Sequence, residues 1–520
     1  TQELTKINYD KDITHNISVI KSSLDELIVH FEINTYNLEK VQTSEGLAFI
    51  VNAPNGGRIY EKGAPDLPLL STSLIIDDNG MYSAEIVQGD YIELEDINIA
   101  PSKGSLLRSV NPNDVPYTYG EAYQKDEFYP ETNGKLSKPF ILRDFRGINL
   151  QVFPYTYNPI SKVLRIYTSL EVKLTKTNKT NDINSISRTK SLDLINGSFN
   201  EIYESVFLNY QTNPVKYTPL EEPSPGNILI ISHPEYTESM TDYITWKIEK
   251  GFEVEIIDVT EIGNTATAIS AYVDNYFNDN GLSYLLLVGD AQHIPPMIVN
   301  SNDSDNAYAY VLGDDGYADF FVGRFSGESL NDIETQVART VYYEKDMDET
   351  NSWLENALSS ASNEGGGSTG HDGGESDEVH MSYINDDLET YGYSVTNVNQ
   401  DGGNNTMLSN AVNEGIGIAN YIGHGSDQSW VNTNFTNSNV NALTNHNKLL
   451  FAFSVACVNG NFSGQTCFAE AWLRATNNGE PTGAVGFLAS TINQAWNEPM
   501  TGQDEMVDIL IESYNHNIKR

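Results

Sequence analysis

The sequence predicts a chain of two parts: an all-β unit, a sandwich or jelly roll, over residues 1 to about 216, and then an α/β unit with two side-by-side parallel-sheet halves. Two observations separate the parts. Before residue 216 the apolar runs are short, rich in β-branched and aromatic residues, and divided by turn clusters, with no long helical period. From Asn227 onward, buried-strand patterns alternate with helical ones, the grammar of a mostly parallel sheet with helices on both faces. A third observation concerns chemistry. Two apolar runs of the second part, Ile416–Ile422 and Leu449–Cys457, end in a His and a Cys 33 residues apart.

In the first part, Ile17–Ile20, Leu27–Phe31, Leu47–Val51 and Leu164–Tyr167 are the predicted strands, and turn clusters such as Asn52–Gly57 punctuate them. Residues 175–194 are rich in Asn, Thr, Ser and Lys and read as a flexible connector, followed by a helix over Ser198–Asn209 and a polar stretch up to Lys216. In the second part, Ile228–Ile231 is a buried strand, Tyr236–Lys250 a helix closed by Gly251, and Phe252–Ile257 the next strand. A helix over Ala266–Asn278 precedes strand Tyr284–Val288. The helix Asp332–Lys345 separates a first half, residues 217–356, from a second, residues 357–520. Ligands of such sheets bind at the carboxyl ends of the strands, where Asp290, His424 and Cys457 fall.

Composition narrows the function. The chain carries 72 acidic against 30 basic residues, a formal charge of −42. Phosphate recognition needs a basic patch, so nucleic acid is excluded as the expected partner. Carboxylates on Gly-rich loops suit a hard cation such as calcium. No apolar stretch reaches the roughly 18–20 residues that span a bilayer. The polar start at Thr1 fits a signal peptide removed or never included. Two Cys supply no disulfide framework, and Cys467 reads as a buried neighbour of Phe468-Ala469. The His and Cys spacings that zinc requires are missing.

A strand ending in His beside a strand ending in Cys places an imidazole next to a thiol, the arrangement that makes a thiolate nucleophile. Gly425 after the His and Asn459-Gly460 after the Cys keep both strand ends open, leaving backbone N–H groups to face an oxyanion. A buried Cys at a strand end is otherwise a small inert hydrophobe, so these flanks carry weight.

The ordered series Tyr284–Asp290, Phe321–Ser326, Gly374–Asp377, Gly423-His424-Gly425-Ser426, Val455-Ala456-Cys457-Val458-Asn459-Gly460, Ala489–Gln494 and Gly502–Met506 resembles the catalytic domain of the gingipains, clan CD cysteine endopeptidases with a caspase-like fold. The likeness is nearest to the arginine-specific members and covers roughly three-fifths of the chain, from Tyr217 to Arg520. It implies an exported zymogen, secreted or at the cell surface, that acts on protein and peptide substrates. Its own residues 1–216 would be the inhibitor, with 175–216 as connector and activation segment.

The resemblance implies Cys457 as nucleophile, His424 as general acid, and Glu364 as the group orienting the His. Gly425 and Cys457 are the expected oxyanion donors. Asp377 is expected at the floor of the pocket for the residue before the cut (S1), with Trp496 and Met500 on either side of a guanidinium stem. The lysine-specific relatives place an acid where Met500 stands. Taken alone, Asp377 could instead cap the helix that follows it. For calcium the resemblance implies one site from Asp290, Asp315, Tyr317 through its carbonyl, and Asp319. A second would use Glu375 and His380, and a third Glu470, Asp504 and Glu505. Lys125 is the residue expected to block S1, with Arg143 and Arg146 as alternatives. Lys216-Tyr217 is the expected maturation bond. Arg520 would be a processing site leaving a second chain associated, or simply an end; the relatives continue the sheet beyond it. Two rival readings stay open: an inactive binding or secretion module, and a clan CD peptidase of another specificity.

Overall fold

The computed structural model describes residues 5–7, 15–53, 56–177, 183–187, 195–212, 225–348, 350–366 and 375–511. Lys216, Tyr217 and Arg520 lie outside them, so the expectations placed there find no structural counterpart.

Among its described residues the N-terminal unit is all β apart from one helix and short turns, as the alternation requires. Glu26–Ile33 buries every second residue, and it pairs antiparallel with His15–Ser22 and Ser169–Thr177. Met81–Gln88 completes this four-stranded sheet. A second antiparallel sheet is built on Phe145–Val152 and Pro68–Ile75, and a third on Tyr155–Asn158, Val163–Tyr167 and Tyr91–Leu94. Their inner faces share one core that includes Phe31, Leu74, Leu150, Ile166 and Val172. The expected connector is partly structured: the strand runs on to Thr177, and within 183–187 Asn184 makes specific hydrogen bonds to the second unit. The expected helix is Gly197–Val206, capped by Asn196.

The second unit has two parallel sheets. In the first, the strand order is Glu253–Asp258, Asn227–Ser232, Tyr284–Val288, Phe321–Phe325. In the second it is Ser394–Asn397, Asn356–Ala361, Ile418–Ile422, Leu450–Val455, Ala484–Leu488. The central strands of both are buried almost throughout, which is why they read as continuous apolar runs. Helix Leu330–Val341 of the first half is tied to the second by the buried Arg339, whose guanidinium donates to the carbonyls of Trp472, Ala475 and Ala484.

Candidate active site

Register places the two expected catalytic residues at the ends of adjacent strands. Strands Ile418–Ile422 and Leu450–Val455 are parallel neighbours with Ile422 opposite Val455. His424 and Cys457 each lie two residues beyond that pair, at the same height on strands roughly 4.8 Å apart. Gly423 extends the ladder by donating to Val455 O at 3.1 Å. Gly425 lies so close to the Cys457 loop that a Cβ there would stand 2.4 Å from the Cys457 carbonyl oxygen. Only glycine permits that approach. The His424 backbone is pinned by Asn432 Oδ1 and by the Tyr421 hydroxyl, which donates to its carbonyl.

Glu364 Oε2 is 3.1 Å from His424 Nε2. The carboxylate follows strand Asn356–Ala361, the other neighbour of the His strand, so three adjacent strands deliver Glu, His and Cys. Cys457 is buried. The other thiol, Cys467, is also buried, and burial followed by the Glu470 carboxylate pushes it far above the ordinary range, which leaves it inert at neutral pH.

Asp377 opens the helix Asp377–Tyr391, but the cap is Ser376, whose side chain accepts from Val379 N. The capping role is thus taken, and the Asp377 carboxylate points into a buried pocket. Ser362 Oγ donates to it at 2.6 Å, and its backbone N–H donates to Glu364 O. A guanidinium fills the pocket. Arg108 Nη1 and Nη2 donate to Asp377 Oδ2 and Oδ1 at 2.9 and 3.2 Å, and Nη2 also reaches Trp496 O at 2.9 Å. Its Cζ lies 4.7 Å from the centre of a Trp496 ring. Met500 is buried in the adjoining apolar cluster with Ala361 and Met381. The backbone takes part as well. Residues 106–108 lie antiparallel to 494–496, with Arg108 N donating to Gln494 O at 2.8 Å and Trp496 N to Leu106 O at 3.1 Å.

Lys125, the residue expected in this pocket, is exposed. The two alternatives are engaged elsewhere: Arg146 with the carbonyls of Asp77, Gly80 and Ile183, and Arg143 with those of Leu282 and Asp319. A planar bidentate donor satisfies a buried carboxylate where a Lys point charge does not. That preference for Arg, together with the apolar pair Leu106-Leu107 in a turn-rich loop, was the available signal for Arg108.

Of the carboxylates expected to hold calcium, Glu375 does lie beside His380, 3.4 Å from its Nδ1, but the first and third sets are not assembled. Asp290 follows strand Tyr284–Val288, whereas Asp315 and Asp319 precede strand Phe321–Phe325. The strands are parallel with Tyr284 opposite Phe321, so Asp290 is at the opposite end of the sheet from the other two. Asp290 instead lies 3.6 Å from Arg474, which also pairs with Glu470 at 2.6 Å. Asp315 accepts from Ile141 N and Asn184 Nδ2, and Asp319 from the N–H groups of Arg143, Val311 and Leu312. The Tyr317 ring stacks on Phe140. These three residues therefore form a docking site for the N-terminal unit. The third set is also split: Asp504 joins His380 and Glu375, at 3.6 and 3.4 Å from the imidazole nitrogens, while Glu470 caps its own helix by accepting from Cys467 N and receives the Ser326 hydroxyl. Glu505 is half-buried on helix Glu498–Leu510. Among the described residues, no group of three or more His, Cys, Asp or Glu is arranged to hold a metal ion.

Both units of the chain match known protein families. Residues 221–519 match the family model of peptidase family C25, and residues 8–215 match that of the C25 propeptide. The chain is 42% identical to gingipain R2 of Porphyromonas gingivalis over 498 residues, 95% of this chain and 67% of that protein. It is 39% identical to gingipain R1 of the same organism over 512 residues, 97% of this chain and 51% of that protein. The complex of the pro- and mature domains of P. gingivalis RgpB superposes with a TM-score of 0.54 at 42% identity, covering 56% of this chain and 70% of that one. The crystal structure of the Arg-specific cysteine proteinase gingipain R gives 0.55 at 42% identity, covering 58% and 71%. The chain belongs to peptidase family C25: it is a cysteine endopeptidase preceded by its propeptide.

Proposed function

We propose that the chain is the latent form of an exported endopeptidase that cuts peptide bonds after Arg in preference to Lys, with Cys457 and His424 as its catalytic pair. The observation that carries this reading is Arg108, bidentate on Asp377 and laid as an added strand along 494–496. An intramolecular mimic seated in the pocket supports Arg as the side chain the pocket accepts. Lys would offer one ammonium to an acceptor pair set for a planar fork.

In the reaction the substrate takes the place of residues 106–108, in extended form. The Cys457 thiolate adds to the carbonyl carbon of the P1 Arg, and the N–H groups of Gly425 and Cys457 receive the oxyanion. Glu364 orients the imidazole through Nε2, and His424 protonates the leaving amine. Water then releases the new carboxylate from the thioester. The P. gingivalis relatives support export, and no helix among the described residues is long and apolar enough to cross a membrane.

The test is hydrolysis of fluorogenic peptides with Arg, Lys, Asn or Asp at P1 by protein freed of residues 1–216. Arg should lead, Lys should follow, and Cys457→Ala should abolish turnover. Preference for an uncharged P1 removes the Asp377 assignment, and an inactive processed protein restores the binding-module reading.

A further inference from the structure

The two oxyanion donors proposed above stand on different loops: Gly425 in the hairpin after His424, Cys457 in the turn after the neighbouring strand. One side chain spans both loops. Asn459 is fully buried, and its Nδ2 donates to Ser426 O at 2.6 Å and to Ser429 O at 3.0 Å, two carbonyls of the His424 hairpin. Its Oδ1 accepts from the Ser454 hydroxyl at 2.8 Å, on the strand that leads to Cys457. Ser454 Oγ in turn accepts from the Trp430 indole at 2.8 Å. Trp430 belongs to the hairpin and stacks on Tyr421, whose hydroxyl donates to His424 O. The circuit thus leaves the hairpin, crosses the Cys strand and its turn, and returns to the hairpin.

Between Cys457 and Asn459 the backbone is strained. Val458 has φ +53°, in the left-handed region that a β-branched residue adopts only where its surroundings hold it there. Val458 N donates to Ile492 O at 3.1 Å and Gly460 N to Ser490 O at 2.9 Å, which fixes the turn from the side of the 494–496 segment. Asn459 fixes it from the side of the histidine. The two loops meet so closely that a Cβ on Gly425 would stand 3.0 Å from Asn459 Nδ2.

We propose that Asn459 is a positioning residue for catalysis: its side-chain amide locks the strained Val458 turn against the His424 hairpin, and so sets Cys457 relative to His424 and the two oxyanion donors relative to each other. The inference deepens the proposed function and rests on it. The P1 side chain is held by Asp377 and Trp496, on other elements, so loss of Asn459 falls on turnover rather than on Arg binding. An amide is the group this place requires. Aspartate would set a carboxylate against two carbonyl oxygens, and alanine would leave both carbonyls and the Ser454 hydroxyl without this partner.

The experiment takes the full chain as wild type, N459A, N459D, S454A, V458G and N459A/V458G, and frees each of residues 1–216 by cleavage. It measures kcat and KM on an Arg fluorogenic peptide, with circular dichroism melting to report the fold. N459A and N459D should lower kcat at least about tenfold with KM within about twofold of wild type. S454A should lower kcat about threefold, also at constant KM. Glycine takes the left-handed conformation without strain. N459A should therefore cost at least about threefold less in kcat in the V458G background than in wild type, a coupling that a merely structural role would not produce. The inference is overturned if folded N459A keeps kcat within about twofold of wild type, if its loss falls on KM alone, or if its cost is equal in both backgrounds. Should N459A and N459D not fold, S454A decides: lowered kcat at constant KM supports the inference, and wild-type kcat overturns it. If processed wild type hydrolyses no Arg peptide, the parent reading fails, and this inference with it.

Discussion

The N-terminal unit grips the peptidase unit at two places by different means. At the carboxyl ends of the second sheet the contact centres on one side chain: Arg108 meets Asp377 in the pocket proposed for the substrate's P1 residue. At the amino end of the first sheet's edge strand, Ile141 N and Arg143 N donate to the carboxylates of Asp315 and Asp319. The Arg143 guanidinium there reaches Leu282 O and Asp319 O and lies 4.5 Å from the centre of the Phe199 ring. Stacking of Phe140 on Tyr317 and a tilted ring contact of Phe199 with Phe321 extend this second contact. Under the proposed function the first site is shared with the substrate and the second is not, so inhibition and attachment should be separable in this chain.

The largest effect should come from the shared site. Asp377→Asn should lower kcat/KM of the processed protein for Arg peptides by at least about tenfold, since removing one partner of a buried charge pair costs roughly 2–5 kcal/mol. The same change should weaken latency of the full chain, so both measurements move together. Arg108→Ala should separate them: the uncleaved chain should hydrolyse Arg peptides at least about tenfold faster than wild type, while processed protein keeps its wild-type kcat and KM. An Arg108→Ala chain as latent as wild type would remove Arg108 from inhibition.

Arg143→Ala should act only at the second site. It removes two charge-assisted hydrogen bonds, each contributing roughly 1.5–3 kcal/mol, so after cleavage between the units the propeptide should leave faster by about tenfold or more. Size-exclusion chromatography of the cleaved complex reads this, and kcat/KM of the freed enzyme should not change. The smallest effect is a pH slope. Burial pushes the Asp319 carboxyl up to about 6, although the amides of Leu312, Val311 and Arg143 favour its anion. A carboxyl raised in the folded state contributes stability that is full below its unfolded value near 3.8 and lost as pH rises through about 6. Asp319→Asn should flatten that part of the melting profile between pH 4 and 7, and an unchanged slope would refute the assignment.

The sheets and the placing of His424 and Cys457 on adjacent strand ends were legible because they rest on local signals: continuous apolar runs for buried parallel strands, and register that carries the two residues to one height. Glu364 and Asp377 became legible through motif resemblance, since nothing local in a Gly-rich loop distinguishes a positioned carboxylate from a solvated one. What the sequence concealed lies between the units. Arg108 and Asp377 are 269 residues apart, and no periodicity links them. Lys125 was the expected blocker because its loop is rich in Tyr and Pro, but loop composition says nothing about which surface another unit will cover. The same gap explains Asp315 and Asp319. Acids alternating around a glycine read equally well as cation ligands or as acceptors for backbone N–H groups, and only docking decides between them.

The main-chain pairing of residues 106–108 with 494–496 also bears on which proteins can be attacked. A chain entering this groove must offer a free backbone N–H at P1 and a free carbonyl two residues before it. Within a helix or the interior of a sheet those groups are already bonded. Folded proteins should therefore yield to this enzyme at exposed linkers and frayed termini, giving a few large fragments, and an Arg inside a stable helix should survive until that helix melts.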